Sequence, residues 1–409
     1  MKKMYYSHKF AVLSISLLLI ISSGEIIYER YYSAASIIFL LIVLSITIIE
    51  KKYKHITIVP TIYLFYLLIV LIINIIINNE VYINNYIGVF IKLLTVYLFC
   101  IIVKFNEFKE SYTKIIYILC IISLIFYFVG IFYSSFVYLL PEIKYGSIDQ
   151  YYKYAIIHSF RCEHIFLMYD DFSKNSSIFW EPGAYQFFLN LALYFEINKN
   201  KKSMIRILVY IAGIISTFST TGLFTLFIIL LFNIRIGKKI QMKKVFVMFL
   251  ILILINTCVY KNMDDYFNKF KQGNNSYISY ESRLTNTKED LDILLKYPLG
   301  VGYTNYFKYN IGGSENSVTS LSSMYGLLYA FPMFFGIFLL AFRMKFSYTQ
   351  FIVFPLLIFL SCLSEKFFFT PIIMYLSILP FFRNNFIDEG QVDKNKLTDK
   401  YNYKVNNYD

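Results

Sequence analysis

Long uninterrupted apolar runs are the feature of this sequence that most restricts its fold. A bilayer core about 30 Å thick is crossed by roughly 20 apolar residues in a helix. Lipid offers no hydrogen bonds to the backbone, so such runs must satisfy their own polar groups as helices. The sequence therefore predicts an all-α, polytopic integral membrane protein. Ten runs of suitable length occur, at 10–27, 31–49, 56–77, 86–103, 115–140, 178–196, 245–260, 317–342, 347–363 and 367–382.

One further segment, 204–236, is too long for a single span and short for two. Its middle is polar, with the sequence Ser219-Thr220-Thr221-Gly222. The connectors on both sides of it are rich in Lys and Arg, and basic connectors remain on the cytoplasmic side of a membrane. An even number of membrane crossings must therefore separate these two basic connectors. We therefore predict a tight hairpin of two short helices here and about 12 spans in the whole chain.

The remaining connectors fit the same orientation, with their basic residues on one side and only Arg30 and Lys366 in the short connectors of the other. Both termini are then cytoplasmic, and both long loops are external. The first helix resembles a signal peptide, but no clean small-x-small site precedes Glu25, so we expect it to be retained. The predicted segments are a five-helix part at 1–140, an external loop at 141–177, central helices at 178–260, a second external loop at 261–316, a three-helix part at 317–382 and a cytoplasmic tail at 383–409.

Composition excludes several classes of function. Only 16% of the residues are charged, against about a quarter in soluble domains. The net charge of +13 comes mostly from the short connectors, so nucleic acid is not an expected partner. No Cys and His spacing matches a zinc site, and no nucleotide motif occurs in a suitable context. We predict neither metal nor cofactor.

The most informative polar motif lies where the first long loop enters the span at 178–196. Pro182 suits a first helical turn, and Gly183 permits close approach of another backbone. Glu181 would stand at the positive end of the helix dipole. Gln186 and Asn190 continue a polar face into the membrane, which an interfacial cap with an anchoring tryptophan would not require.

Other candidate residues lie at the outer ends of the helices. Helix N-termini favour anions, and in the 12-span arrangement three of them reach the outer surface. Lys92 could add a cation there or reach up to the interface. Arg283 could bind phosphate with its planar fork or pair with Asp290 or Glu289 on the surface. A further cluster in the first long loop consists of His158, Arg161 and His164.

These motifs resemble those of a known family. Ile178-Phe179-Trp180-Glu181-Pro182-Gly183-Ala184 is similar to the I-F-W-E-P-G-A motif of bacterial O-antigen and capsular polysaccharide polymerases of the Wzy type, which are related to O-antigen ligases. Two departures are Lys174-Asn175, where relatives often have Arg-Asn, and Glu315-Asn316, where many have His-Asn. The resemblance covers roughly 115–342 and continues through Ser219-Thr220-Thr221-Gly222, Ser282-Arg283-Leu284, Asp290, Pro298-Leu299-Gly300-Val301-Gly302, Asn316 and Tyr325-Gly326.

The resemblance implies a metal-independent glycosyltransferase at the outer face of the bacterial inner membrane. It would transfer a growing glycan from undecaprenyl diphosphate to the next lipid-linked repeat unit, beside a flippase and a chain-length regulator. Glu181 is the first candidate for the base, although it could instead hold Arg283 or Arg161 in place. The other candidate bases are Glu315 and His164. The expected substrate-binding residues are Arg283, Arg161, Lys174, Asp290, Gln186, Asn316 and Lys92.

Two other functions remain open on the sequence alone. An O-antigen ligase would use the same lipid-linked donor, and the Glu-Pro-Gly motif favours the polymerase over it. A lipid-linked oligosaccharide flippase or other transporter would also suit many spans with buried polar residues. Transporters tend to carry inverted repeats and helices broken at mid-membrane, whereas the polar residues here concentrate in external loops and at helix ends.

Overall fold

A computed structural model describes residues 2–145, 150–155, 157–163, 174–233, 275–311, 313–344 and 348–386. The predicted span at 245–260, most of the cytoplasmic tail and His164 lie outside these ranges. In the first half of the chain the helices are α1 (Lys2–Ile21), α2 (Ile26–Arg30), α3 (Tyr32–Ile49), α4 (Ile58–Asn78), α5 (Ile83–Ile102), α6 (Phe105–Phe132), α7 (Ser134–Tyr138) and α8 (Pro182–Ile197). In the second half they are α9 (Met204–Ser216), α10 (Thr220–Asn233), α11 (Asn275–Lys296), α12 (Gly302–Tyr309), α13 (Ser317–Tyr325), α14 (Leu327–Arg343), α15 (Tyr348–Ser364) and α16 (Pro371–Ile378).

A small antiparallel sheet accompanies the helices. Its strands β1 (Glu142–Tyr145), β2 (Gln150–Tyr154) and β3 (Ser159–Glu163) follow one another in chain order. Single 3₁₀ turns cover Lys52–His55, Phe367–Phe369, Leu379–Phe381 and Arg383–Phe386. The described chain is therefore mostly helical, as predicted, and the sheet belongs to the first long loop.

In the described part of the chain four helices, α3 to α6, are long and apolar enough to cross a membrane. Six shorter apolar helices of 10–17 residues accompany them in the described part of the chain. α4 shows why these helices belong in lipid: Ile58, Ile62, Phe65, Ile69 and Ile76 are all exposed, at helical spacing along its surface. A soluble protein rarely leaves such a continuous apolar stripe facing water. The helices are those of a membrane-embedded protein.

The predicted span at 317–342 is two helices rather than one, and Gly326 is the reason. This residue has φ +83°, and a side chain on it would collide with the backbone of Leu299. Only glycine adopts that conformation without strain and admits so close a neighbour. The backbone of the 298–302 motif packs into the break, where Leu327 N donates to Pro298 O and Val301 N to Ser323 O. The motif thus docks the second long loop onto a broken helix.

Helix α8 occupies the centre of the molecule. Every residue from Ala184 to Ile197 is buried, and the helix packs against α6, α9, α10 and α15. A helix that is apolar on nearly all sides is one that other helices surround. Its N-terminus, which carries the Trp180-Glu181-Pro182 motif, is therefore held in place from several directions.

The connectors gather at two opposite ends of the helices. At one end, the sheet, α2 and the 298–302 motif lie together and form long-range contacts. At the other end, the N-terminal helix α1 lies with the connectors before α4, α6 and α9 and with the segment after α16. Contacts at the first end include Glu25–Phe179, Glu80–Thr304 and Ser23–Ile372, and those at the second include His8–Glu50, Thr113–Lys199 and Cys100–Asn385.

Candidate active site

A cavity of about 1110 Å³ opens at the end of the molecule that carries the sheet. Residues far apart in the chain line it, from α2, α3, α5, the start of α8, α11, α12 and the segment before α13. Four of the predicted site residues are among them: Lys92, Glu181, Arg283 and Glu315. The fold thus brings together the two carboxylates and two of the cations that the sequence singled out.

Glu181 reaches this cavity because of how α8 begins. Pro182 occupies the first turn of the helix, so Glu181 is the extended residue before it. Its side chain does not cap the helix; instead it accepts a hydrogen bond from the indole Nε1 of Trp180, at 3.0 Å. Trp180 itself packs against Phe367 and over Gly24, where a side chain would collide with its ring.

A third carboxylate, Glu365, completes a cluster with Glu181 and Glu315. One carboxylate oxygen of each residue lies within 4.8 Å of the others. Among the described residues this is the group of three acids close enough together to hold one cation. Glu315 also forms an ion pair with Lys366 at 3.1 Å. Sequence reasoning missed Glu365, although an acid between two apolar runs, directly beside a basic residue that had been noticed, was a usable signal.

Glu365 is 2% exposed and follows the last turn of α15. Its Oε2 atom has no hydrogen-bond partner in the described part of the chain. Burial, together with the negative charge of Glu181, raises the pKa of this carboxyl group well above its usual range. Gly183 explains the close fit, because a Cβ there would collide with Glu365 Oε1. The predicted close approach at Gly183 is therefore to a side chain, and not to another backbone.

Lys92 points into the protein. Its ammonium donates to the carbonyl oxygen of Phe369 at 2.6 Å and lies 4.5 Å from the ring centroid of Tyr32. Both neighbours line the cavity. In the structure the Lys92 side chain therefore does not extend to the lipid interface, which was the alternative interpretation of its position. Arg283, on α11, is exposed and lines the same cavity.

Asp290 was predicted to bind substrate, and its position is a structural one instead. It is fully buried, and its carboxylate accepts hydrogen bonds from Tyr306 (2.7 Å), Asn310 (3.1 Å) and Thr319 (2.7 Å). Its backbone oxygen accepts from Ser323. These contacts fasten α11, α12 and α13 to one another. Both carboxylate oxygens already accept hydrogen bonds from the protein, so Asp290 stabilises the helices that form the cavity wall.

An Asp290→Ala variant should lose stability, because the buried Tyr306 hydroxyl would lose its acceptor, while Asn310 and Thr319 would still have the backbone acceptors Asn286 O and Asn316 O. An unsatisfied buried donor costs about 1–3 kcal/mol, so a loss of this size is expected. The thermal unfolding midpoint of the purified protein in detergent measures it. Asp292→Ala is the matched control, two residues along the same helix and exposed. An equal, small shift for both variants would contradict the structural role.

Gln186 and Asn316 were also predicted to bind substrate, and both are used within the protein. Gln186 is fully buried, and its Oε1 accepts a hydrogen bond from Asn190 at 2.9 Å. Asn190 also donates to the backbone of Gly222. The polar face of α8 thus faces the start of α10. Asn316 caps α13, where its side chain accepts from the first backbone N–H groups.

The first long loop contributes less than its sequence suggested. His158 is buried and stacks on Phe126, and burial lowers its pKa to about 3, so it is uncharged at neutral pH. Arg161 pairs with Tyr152 in the sheet, and its side chain lies outside the described part. Lys174 is exposed. The next residue, Asn175, is buried and donates to Ser123 and Ser216.

Comparison of the chain with protein-family models, with curated proteins and with solved structures gives no match.

Proposed function

We propose that this protein is a polysaccharide polymerase of the bacterial inner membrane. It would transfer a growing glycan from undecaprenyl diphosphate to the next lipid-linked repeat unit at the outer face. The observation that carries the proposal is the cavity itself, which combines carboxylates, cations, aromatic rings and an apolar wall at one end of a membrane-embedded molecule. A lipid-linked glycan has a matching part for each of these features.

The diphosphate of the donor needs positive charge. Lys92, Arg283 and Lys366 all line the cavity. The helices α8 and α13 begin beside it, and helix N-termini also favour phosphate. Arg283 can present two parallel N–H groups to one phosphate, which strengthens and orients the contact. The leaving group of the transfer is this diphosphate, so these groups would stabilise charge as it develops.

The glycan and the lipid chain would contact different walls of the cavity. Tyr152, Trp180 and Tyr303 are aromatic cavity residues, and ligand sites commonly combine aromatic surfaces with a few polar groups. On α3 and α5 the wall includes Ile37 and Ile87, which are 47% and 45% exposed on the lipid-facing surface. An apolar wall that continues to that surface suits a polyprenyl chain.

Glu181 is the proposed general base. As the hydroxyl oxygen of the acceptor forms a bond to the anomeric carbon, its proton would move to the Glu181 carboxylate. The bond from the anomeric carbon to the phosphate oxygen breaks, and its electron pair leaves with undecaprenyl diphosphate. A base must lie within hydrogen-bond reach of the proton that it takes. Glu315 is the second candidate, but its ion pair with Lys366 competes for its carboxylate.

We also propose the 12-span topology with both termini in the cytoplasm. Fusions of alkaline phosphatase after Lys153 and Gly273 should then be active, and fusions after Lys202 and Lys239 should be inactive. The reason is that alkaline phosphatase becomes active only outside the cytoplasm. The measured quantity is phosphatase activity per amount of fusion protein. An active fusion at Lys239 would break the two-helix assignment of 204–236 and the 12-span arrangement with it.

Deletion of the gene is the direct test of the function. If the chain is the polymerase, the deletion strain should carry single repeat units on its surface acceptor and no longer chains. Loss of a ligase would instead leave lipid-linked chains that are never joined to the acceptor. Loss of a flippase would trap repeat units facing the cytoplasm and leave none at the surface. Either of the last two results would replace the proposal.

The proposal carries expectations about partners. A flippase must deliver the repeat units to the outer face, and a chain-length regulator would be expected to act on the polymer. The acceptor and donor are both linked to undecaprenyl diphosphate, so two such lipids must reach the site together.

A further inference from the structure

Glu365 has no part in the proposed mechanism so far, although it lies beside the proposed base. It is 2% exposed, at the junction between α15 and the 3₁₀ turn at Phe367–Phe369. A buried carboxylate normally has a cation or several donors as partners. Here one of its oxygens has no hydrogen-bond partner in the described part of the chain. The neighbour that it does reach is another acid, Glu181.

The charges around the cluster favour a proton at this position. Three carboxylates, Glu181, Glu315 and Glu365, lie together. Among the described residues the positive charges beside the cluster are Lys366, paired with Glu315, and Arg283, which acts on Glu365 from α11, while Lys92 of the same cavity acts on Glu29. One negative charge is left over, and a single proton balances it. Two ionised carboxylates cannot donate a hydrogen bond to each other, whereas one protonated acid can donate to the other.

We propose that Glu365 is held in its protonated form and donates a hydrogen bond to the carboxylate of Glu181, which it positions for catalysis. This inference rests on the proposed function for its catalytic meaning, but the shared proton itself does not require it. Glu365 is a positioning residue, because it is buried behind Glu181. Gly183 allows this arrangement, since any side chain there would displace the Glu365 carboxyl group.

The position of Glu365 also explains how distant elements meet at the site. The hydroxyl of Ser317, the first residue of α13, donates to the backbone oxygens of Glu365 (2.7 Å) and Cys362 (2.9 Å). The end of α15 is thereby tied to the helix that follows Glu315. A proton on Glu365 would hold α8 to the same junction through Glu181, so that the carboxylates keep a fixed separation.

Infrared spectroscopy of the full-length protein in lipid nanodiscs tests the protonation state without any substrate. The wild-type protein at neutral pH should show the C=O stretch of a protonated carboxylic acid. Glu365→Gln should remove this band, whereas Glu315→Gln, which removes the negative charge that the proton balances, should lower the pH at which the band disappears. Raising the pH should abolish the band in the wild type. Absence of the band from the wild type at neutral pH would overturn the proposal.

Chain synthesis by the same variants tests the positioning role. Glutamine at 365 is uncharged and keeps an N–H donor, so Glu365→Gln should retain synthesis within about fivefold of the wild type, while Glu365→Ala should lose more than about tenfold. A folded Glu365→Gln protein as inactive as Glu365→Ala would mean that the ionised form is required. Activity abolished by a chelator and restored by Mg²⁺, with no acid band, would assign a cation to the cluster instead. If the band is present but deletion of the gene leaves polymerisation intact, the shared proton stands and the proposed function fails.

Discussion

A Glu181→Gln variant is expected to leave the cell with single repeat units on its surface acceptor and no ladder of longer chains. Glutamine keeps the size of the side chain and its hydrogen bond with Trp180, but it cannot take a proton. A general base contributes about 10²–10⁴ in rate, so polymerisation should fall by at least about a hundredfold. Gel separation of the extracted glycan, with the amount of membrane protein measured in parallel, reads out the result.

Comparison with Glu181→Ala separates the two roles that Glu181 could have. A full ladder with Gln and none with Ala would make Glu181 a structural residue and direct attention to Glu315 as the base. Single units with both variants would support the catalytic role. Absence of any surface unit in a strain with an intact ligase and a normal level of the variant would count against a polymerase altogether. Glu315→Gln serves as the matched comparison, since it removes a neighbouring carboxylate of the same cluster.

Arg283→Ala should abolish long chains, whereas Arg283→Lys should retain part of the activity. An ammonium keeps the positive charge but cannot offer the planar pair of donors that binds a phosphate at two points. Loss of one donor group that stabilises developing charge reduces rate by about 10²–10³, and a loss of this size is expected for the alanine variant. Chain-length distribution and initial rate with lipid-linked repeat units measure the effect.

Lys288→Ala is a suitable control for Arg283, because it removes an exposed cation from the same helix. It should leave chain length unchanged. Equal defects in both variants would attribute the effect to the general charge of α11 and not to a phosphate contact. Wild-type chain lengths in a well-expressed Arg283→Ala strain would remove this residue from the site.

The contacts of the charged cavity residues indicate how a phosphate group and a general base can be accommodated in the same site. Lys92 is fixed by the Phe369 carbonyl and the Tyr32 ring, and Glu315 is paired with Lys366. Arg283 and Lys366 are exposed cations of the cavity. Under the proposed function Arg283 would follow the diphosphate, while the contacts of Lys92 and Glu315 would hold those two residues in place.

The sequence by itself determined the helical, membrane-embedded class and several helix starts. Hydrophobic length acts locally, and a run of about 20 apolar residues has few alternatives to a helix in lipid. Pro182 restricts its own backbone, so the start of α8 at Pro182 was also predictable. The choice of Glu181, Arg283 and Lys92 came from such local signals and that of Glu315 from the family resemblance, and the structure brings all four to one cavity.

The tertiary structure alone decided which polar residues face that cavity and which support it. Asp290, Gln186 and Asn316 look like site residues in the sequence, but Asp290 bonds to Tyr306 on another helix, Gln186 to Asn190 on its own helix, and Asn316 caps α13. Glu365 looks like an ordinary connector residue, yet it lies against Glu181, 184 positions earlier in the chain. Burial and hydrogen bonding depend on which elements pack together across such separations. Local pattern fixes where a helix begins, whereas the environment of a carboxylate is set by neighbours that only the folded chain supplies.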